Sequence, residues 1–196
     1  MIQQSQLDER IKGYKGYGLV SVFTGDGRGK TTAGLGTAIR ALGSGKRVAI
    51  VYFDKGGDAH YSERAVLDDL SSRYPLEYHV TGRDRIDPVS GRFDFSVQDI
   101  DKTEAERGLQ IVSRIFSEAR HDLLVLDEIN STTALGMLDE RAVLNILSQK
   151  PVALECLLTG RNAPQSFLDL AHLHTEMKLC KHYFYSGVPA RAGVDY

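Results

Sequence analysis

The chain has 196 residues, 42% of them hydrophobic, enough for one well-packed core and short for two. Aspartate and glutamate number 26 against 24 lysines and arginines, so a net charge near −2 gives no general reason to expect a nucleic acid or an anionic membrane as partner, and any basic site must be local. No run of about 18 apolar residues is present, so no membrane-spanning helix is expected.

The opening "MIQQSQLDERIKGYKG", residues 1–16, reads as a polar arm, helical at most through Gln6 to Ile11, without the apolar centre of a signal peptide. A soluble, cytoplasmic protein is expected, with residues 17–196 forming a single α/β domain. Its first element, Tyr17 to Phe23, is short, apolar and β-branched, the pattern of a buried strand. The glycine-rich stretch "FTGDGRGKTT" follows at once. From Thr31, the spacing of Ala33, Leu35, Ala38, Ile39 and Leu42 predicts a helix that Gly43 or Gly45 ends.

A second buried strand, Arg47 to Phe53, gives way to the polar loop Asp54-Lys55-Gly56-Gly57-Asp58 at the strand end where parallel sheets bind ligands. Residues 62–71 read as helix and 76–80 as strand. Thr81 to Gln98, with Pro88 and Gly91, is irregular and long enough to suggest a functional loop. Ala105, Leu109, Val112, Phe116 and Ala119 give residues 99–120 one apolar helical face. Asp122 to Glu128 is an apolar strand closed by two carboxylates. A helix over 138–148, a strand over 152–158, a helix opened by Pro164 and a last strand near 178–185 complete the order. Strands alternating with helices predict a three-layer α/β fold: a mainly parallel sheet covered on both faces.

Gly25, Gly27 and Gly29 allow several backbone N–H groups to face one anion, Lys30 adds charge and Thr31 a hydroxyl for a metal ion. A helix beginning near Lys30 adds its positive end. The usual phosphate-loop pattern places glycine where this chain has Thr24. In "LLVLDEIN", an acid closing a buried strand suits Mg²⁺, which takes hard oxygen ligands. Asp127 and Glu128 alternate in direction, so one faces the phosphates and its neighbour pairs locally. Arg161, after another strand, and Arg40, three turns along the first helix, are candidate phosphate contacts. His121, His172, His174 and His182 lack metal-ligand spacing and read as structural or surface residues. Cys156 and Cys180 have neither the number nor the spacing of a zinc site or disulfide framework, and read as core thiols. From the residues alone, Mg-ATP or another nucleoside triphosphate is the ligand, and the acceptor is open.

Beyond these motifs, the sequence resembles the P-loop type of ATP:corrinoid adenosyltransferase, whose acceptors are cob(I)alamin or cob(I)yrinic acid a,c-diamide. The resemblance rests on "VFTGDGRGKTTAGLGTAIRALGSGKRV", threonine included, on "VYFDKGG" and "LLVLDEIN", and on the segment from "LLTGRNAPQSFLDLAH" to the ending "GVDY". These blocks cover most of residues 18–196. The resemblance implies a RecA-like P-loop homodimer that transfers the 5′-deoxyadenosyl group of ATP to Co(I) of a corrinoid, releasing triphosphate, with an electron donor supplying the reduced cobalt. ATP lies in the loop in the reverse sense to ordinary nucleotide hydrolases. By the same resemblance Gly25, Asp26, Gly27, Arg28, Gly29, Lys30, Thr31 and Thr32 cradle the triphosphate, and Lys30 neutralises it. Thr31 and Glu128 hold magnesium, Arg40 and Arg161 add phosphate contacts, and Lys30, Glu128 and Arg161 carry catalysis. The amino-terminal arm would serve as a lid.

One stretch departs from the family. Where it has a glycine followed by a phenylalanine and a tryptophan, Gly82 is followed by Arg83-Asp84-Arg85, and the chain has no tryptophan. Phe93 and Phe95 either substitute for that pair or belong to the core. The alternatives are an ATP-dependent phosphotransferase or hydrolase on the same fold, with Asp127 orienting the attacking oxygen, and a non-catalytic nucleotide- or corrinoid-binding protein.

Overall fold

A computed structural model describes residues 8–57, 61–86 and 94–195. Its strands are β1 (Val20–Thr24), β2 (Val48–Tyr52), β3 (Leu76–Val80), β4 (Leu123–Asp127), β5 (Glu155–Thr159) and β6 (Leu173–Glu176). They form one sheet in the order β3-β2-β4-β5-β1-β6, with every pairing parallel. The connecting helices are α1 (Lys30–Gly43), α2 (Glu63–Arg73), α3 (Asp99–Glu118), α4 (Ile129–Ala134), α5 (Glu140–Leu147) and α6 (Gln165–Leu170).

Strand alternation divides the core in two. On β2, Val48, Ile50 and Tyr52 face Ala38 and Leu42 of α1 and Leu67 of α2. Ala49, Val51 and, just beyond the strand, Phe53 face the other way, toward Ala105, Leu109 and Val112 of α3 and Val143 and Leu147 of α5. Both faces are therefore apolar and both are covered, the condition for a buried parallel sheet. All the strands point their carboxyl ends to one edge, and that edge holds the phosphate loop.

Three expectations need correction. The last strand lies at Leu173–Glu176, before the stretch expected to form it; residues Tyr183–Ser186 make a short 3-10 turn. An extra short helix, α4, follows β4 directly. Only Cys156 is a core thiol, with its pKa pushed up by burial to about 12, whereas Cys180 is exposed. Two of the histidines accept backbone N–H groups, Nδ1 of His172 that of Val20 at 2.9 Å and Nδ1 of His182 that of Phe184 at 3.1 Å. In the arm, whose residues 1–7 lie outside the described ones, Arg10 donates to the carbonyls of Asp169 and Ala171 at 2.8 and 2.6 Å.

Candidate active site

Thr24 ends β1, and its hydroxyl accepts the N–H of Ala163 at 3.1 Å while its carbonyl accepts that of Met177 at 2.8 Å. A glycine here would lose the first of these bonds, so the threonine joins β1 to the segment carrying Arg161. The loop then presses against Met177. Gly25 has φ +96°, and a Cβ there would lie 2.5 Å from the Met177 carbonyl oxygen. Gly27 donates its N–H to that same oxygen at 2.7 Å. A side chain at Gly25 would thus meet both a strained backbone and a fixed carbonyl.

Lys30 opens α1 and is buried, its ammonium donating to the carbonyls of Gly25 and Gly27, each at 2.7 Å. Burial lowers its pKa and Arg161 acts the same way, while Glu128, Asp26 and Asp127 oppose them. Two carbonyls inside the loop thus hold the charge where an anion would be received.

At the end of β4 the two acids diverge. Asp127 is buried, its Oδ1 accepting from Thr159 Oγ1 at 2.6 Å and its Oδ2 from Thr31 Oγ1 at 3.1 Å and from Lys55. Glu128 adopts φ +63° at the start of α4, donates its N–H to Thr159 Oγ1 at 3.1 Å and faces open space. The backbone reversal at Glu128 turns its side chain out of the strand's alternation.

The open space is a cleft of about 1110 Å³, ample for a nucleotide and part of a second ligand. Its walls include Asp26, Gly27, Arg28, Gly29, Lys30, Thr31, Thr32, Glu128 and Arg161. Arg161 is exposed, and its N–H donates to Ser131 Oγ at 2.8 Å, coupling it to α4. Gly25 contributes its carbonyl to Lys30 from behind the lining. Arg40 is elsewhere: ten residues along α1, about 15 Å from Lys30, it borders a separate hollow of about 350 Å³ with Tyr17, Phe23 and Lys46.

Several lining residues lie outside the candidate site residues read from the sequence. Lys55 and Tyr61 come from the connection after β2, and His182, Tyr183, Phe184 and Tyr185 from the carboxyl-terminal segment. Arg28 ties that segment down, donating to Tyr183 Oη at 2.9 Å and pairing with Asp195 at 2.8 Å. Position beyond a strand's carboxyl end was the available signal for Lys55; the terminal aromatics read as a strand.

The departing stretch after β3 is a knot of ion pairs. Arg83 bonds Asp101 at 2.9 Å and Asp94 at 2.7 Å, and Arg85, whose side chain is 4% exposed, bonds Asp54 at 2.6 Å. Asp101 also caps α3, accepting the N–H of Gln98 at 2.8 Å. Both arginines are therefore held by carboxylates. Phe95 is 84% exposed and not a core residue; Phe93, Pro88, Gly91 and Asp58 lie outside the described residues.

A strand, a glycine loop with lysine and threonine, a helix start and an acid at the end of β4, one strand removed from β1, define a P-loop nucleotide-binding α/β protein. A KaiC-like protein from Pyrococcus horikoshii shares this fold, with a TM-score of 0.50 at 17% identity over 85% of this chain and 75% of that one. The family model for ATP:corrinoid adenosyltransferase BtuR/CobO/CobP matches residues 16–196, and the chain belongs to that family. It is 32% identical to the corrinoid adenosyltransferase CobA of Salmonella typhimurium, over 98% of this chain and 93% of that one. Against the corrinoid adenosyltransferase of Escherichia coli K12 it is also 32% identical, over 91% and 86%. A third relative, an uncharacterized protein of Nostoc sp. PCC 7120, is 35% identical over 90% of this chain, which spans only 48% of that protein's length.

Proposed function

We propose that the chain transfers the 5′-deoxyadenosyl group of ATP to Co(I) of a corrinoid. The cobalt–carbon bond forms at C5′ as the bond from C5′ to the triphosphate oxygen breaks, and the electron pair leaves with inorganic triphosphate. The carrying observation is that the phosphate loop, Glu128 and the carboxyl-terminal segment, three blocks of the family resemblance, line one cleft. The nucleophile belongs to the substrate, so the protein needs neither an activated serine or cysteine nor a general base. Its tasks are to align C5′ with cobalt and to stabilise charge on the leaving triphosphate.

Lys30 and Arg161 bring positive charge to that triphosphate, and the N–H groups at the start of α1 add their dipoles. The donors also fit a magnesium ion: the Glu128 carboxylate faces the cleft, and the Thr31 hydroxyl, donating to Asp127 and accepting from Lys55, keeps one lone pair. Magnesium held there by Thr31 and Glu128 would neutralise charge on the departing phosphates. The strand β6 is an exposed sheet edge, which supports pairing with a second copy in a homodimer. A cytoplasmic electron donor would supply Co(I). Mixing the protein with Mg-ATP and a chemically reduced corrinoid should produce the light-sensitive spectrum of an adenosyl-cobalt bond; absence of that spectrum with intact ATP binding would refute the reading.

A further inference from the structure

Lys55 lies outside every phosphate-loop motif, yet it sits at the centre of the site. Its ammonium donates to Thr31 Oγ1 at 2.9 Å and pairs with Asp127, while Thr31 donates to the same Asp127 oxygen at 3.1 Å. The two ionised side chains are 14% and 2% exposed. The main chain of Lys55 is held too, its N–H donating to Thr81 at 2.9 Å and its carbonyl accepting from Arg64. The preceding residue, Asp54, turns the backbone with φ +52°.

In phosphate-loop hydrolases the loop hydroxyl and the strand-end aspartate are the oxygens that flank magnesium. Here an ammonium group occupies the space between those two oxygens. A divalent ion cannot enter the space between those two oxygens, where it would touch the ammonium in a buried site; the lone pair that Thr31 keeps lies on another side of its oxygen. Both oxygens of Asp127 already accept inside the protein, Oδ1 from Thr159, whereas Glu128 has one oxygen engaged, by Ser131. Glu128 is the acid that faces the cleft.

We propose that Lys55 is a built-in cation that withdraws Asp127 from metal binding, fixes the Thr31 hydroxyl and so assigns the divalent ion to Glu128. It is a positioning residue: its charge replaces a metal at one carboxylate and directs the metal to the next. This rests on the nucleotide site assigned above but not on the identity of the acceptor.

The test uses Mn²⁺ and ATP without corrinoid, so it can fail or succeed independently of adenosyl transfer. Without nucleotide, the melting temperature of the unaltered protein should not respond to Mn²⁺. Lys55→Met should open the Thr31–Asp127 pocket and gain stabilisation by Mn²⁺, and Asp127→Asn added to it should remove that gain. A second readout is the ratio of ATP affinities with and without Mn²⁺. That ratio should stay within about twofold in the Lys55→Met/Asp127→Asn protein, and fall about tenfold or more in Glu128→Gln. Removing both charges together leaves no buried ion alone, so the double variant carries the test if Lys55→Met does not fold. A metal ratio that collapses in the double variant, or a folded Lys55→Met that responds to Mn²⁺ no more than the unaltered protein, would overturn the proposal.

Discussion

The guanidinium of Arg28 meets the carboxylate of Asp195 at 2.8 Å, joining the phosphate loop to the end of the chain. Tyr183 first, then Arg191 and Arg28, hold the Asp195 carboxyl at about 2. The folded value lies below the unfolded one of about 3.9, so the tie is complete above that pH and weakens as pH falls toward about 2. Hydrogen exchange of amides 183–194, corrected for intrinsic rate, should show protection at neutral pH that declines through this window. Asp195→Asn should lose it at neutral pH; equal protection in both proteins would refute the tie.

Restoring the common loop pattern should harm this protein. Thr24→Gly deletes a hydrogen bond worth about 1 kcal/mol and adds about 0.5–1 kcal/mol of backbone entropy cost within a strand. A fall in melting temperature of about 3–8 °C is expected for a chain of this size. Thr24→Ser, which keeps the acceptor for Ala163, should recover much of it. A Thr24→Gly protein as stable as the parent would show that the bond contributes nothing.

Arg85 tests the knot after β3. Arg85 pairs with Asp101 at 3.4 Å as well as with Asp54, so Arg85→Met leaves the two acids without a shared cation in a buried setting, at a cost of about 3–5 kcal/mol by comparison with other broken buried pairs. Chemical denaturation should register this loss with little change in the slope of the transition. A loss of under about 1 kcal/mol would mean that the pairs behave as solvated surface charges.

Much of the fold could be read from apolar patterning, and the failures share a physical cause. The strands β2 and β4 are continuous apolar runs because both their faces are buried, and their positions were legible. By contrast β6 has four exposed residues and joins the sheet through backbone pairing with β1, so it leaves no apolar signature. The aromatic run at 183–185 that mimicked a strand instead lines the cleft. The helix α4, "INSTTA", is built, before its final alanine, of residues with middling to poor helix propensity; its Thr132 and Thr133 hydroxyls bond back to the carbonyls of Glu128 and Ile129 at 2.8 and 2.9 Å. Lys55 was legible as part of "VYFDKGG" and as one charge in a polar loop, but its bonds were not, because its partners Thr31 and Asp127 are distant in sequence.

Within the cleft, charge placement predicts separate kinetic effects. Lys30→Ala removes a preorganised cation from the loop and should lower kcat by about 10²–10³-fold, with Glu128→Gln similar at fixed Mg²⁺. Steady-state assays of adenosyl-corrinoid formation check both. Near-normal turnover in either variant would refute the role assigned to that residue.

Adenosyl transfer is tested by phosphorus NMR of the products formed from Mg-ATP and a reduced corrinoid under anaerobic conditions. Inorganic triphosphate should appear in equal amount to the adenosyl-corrinoid formed. ADP and orthophosphate as the only phosphorus products would contradict it.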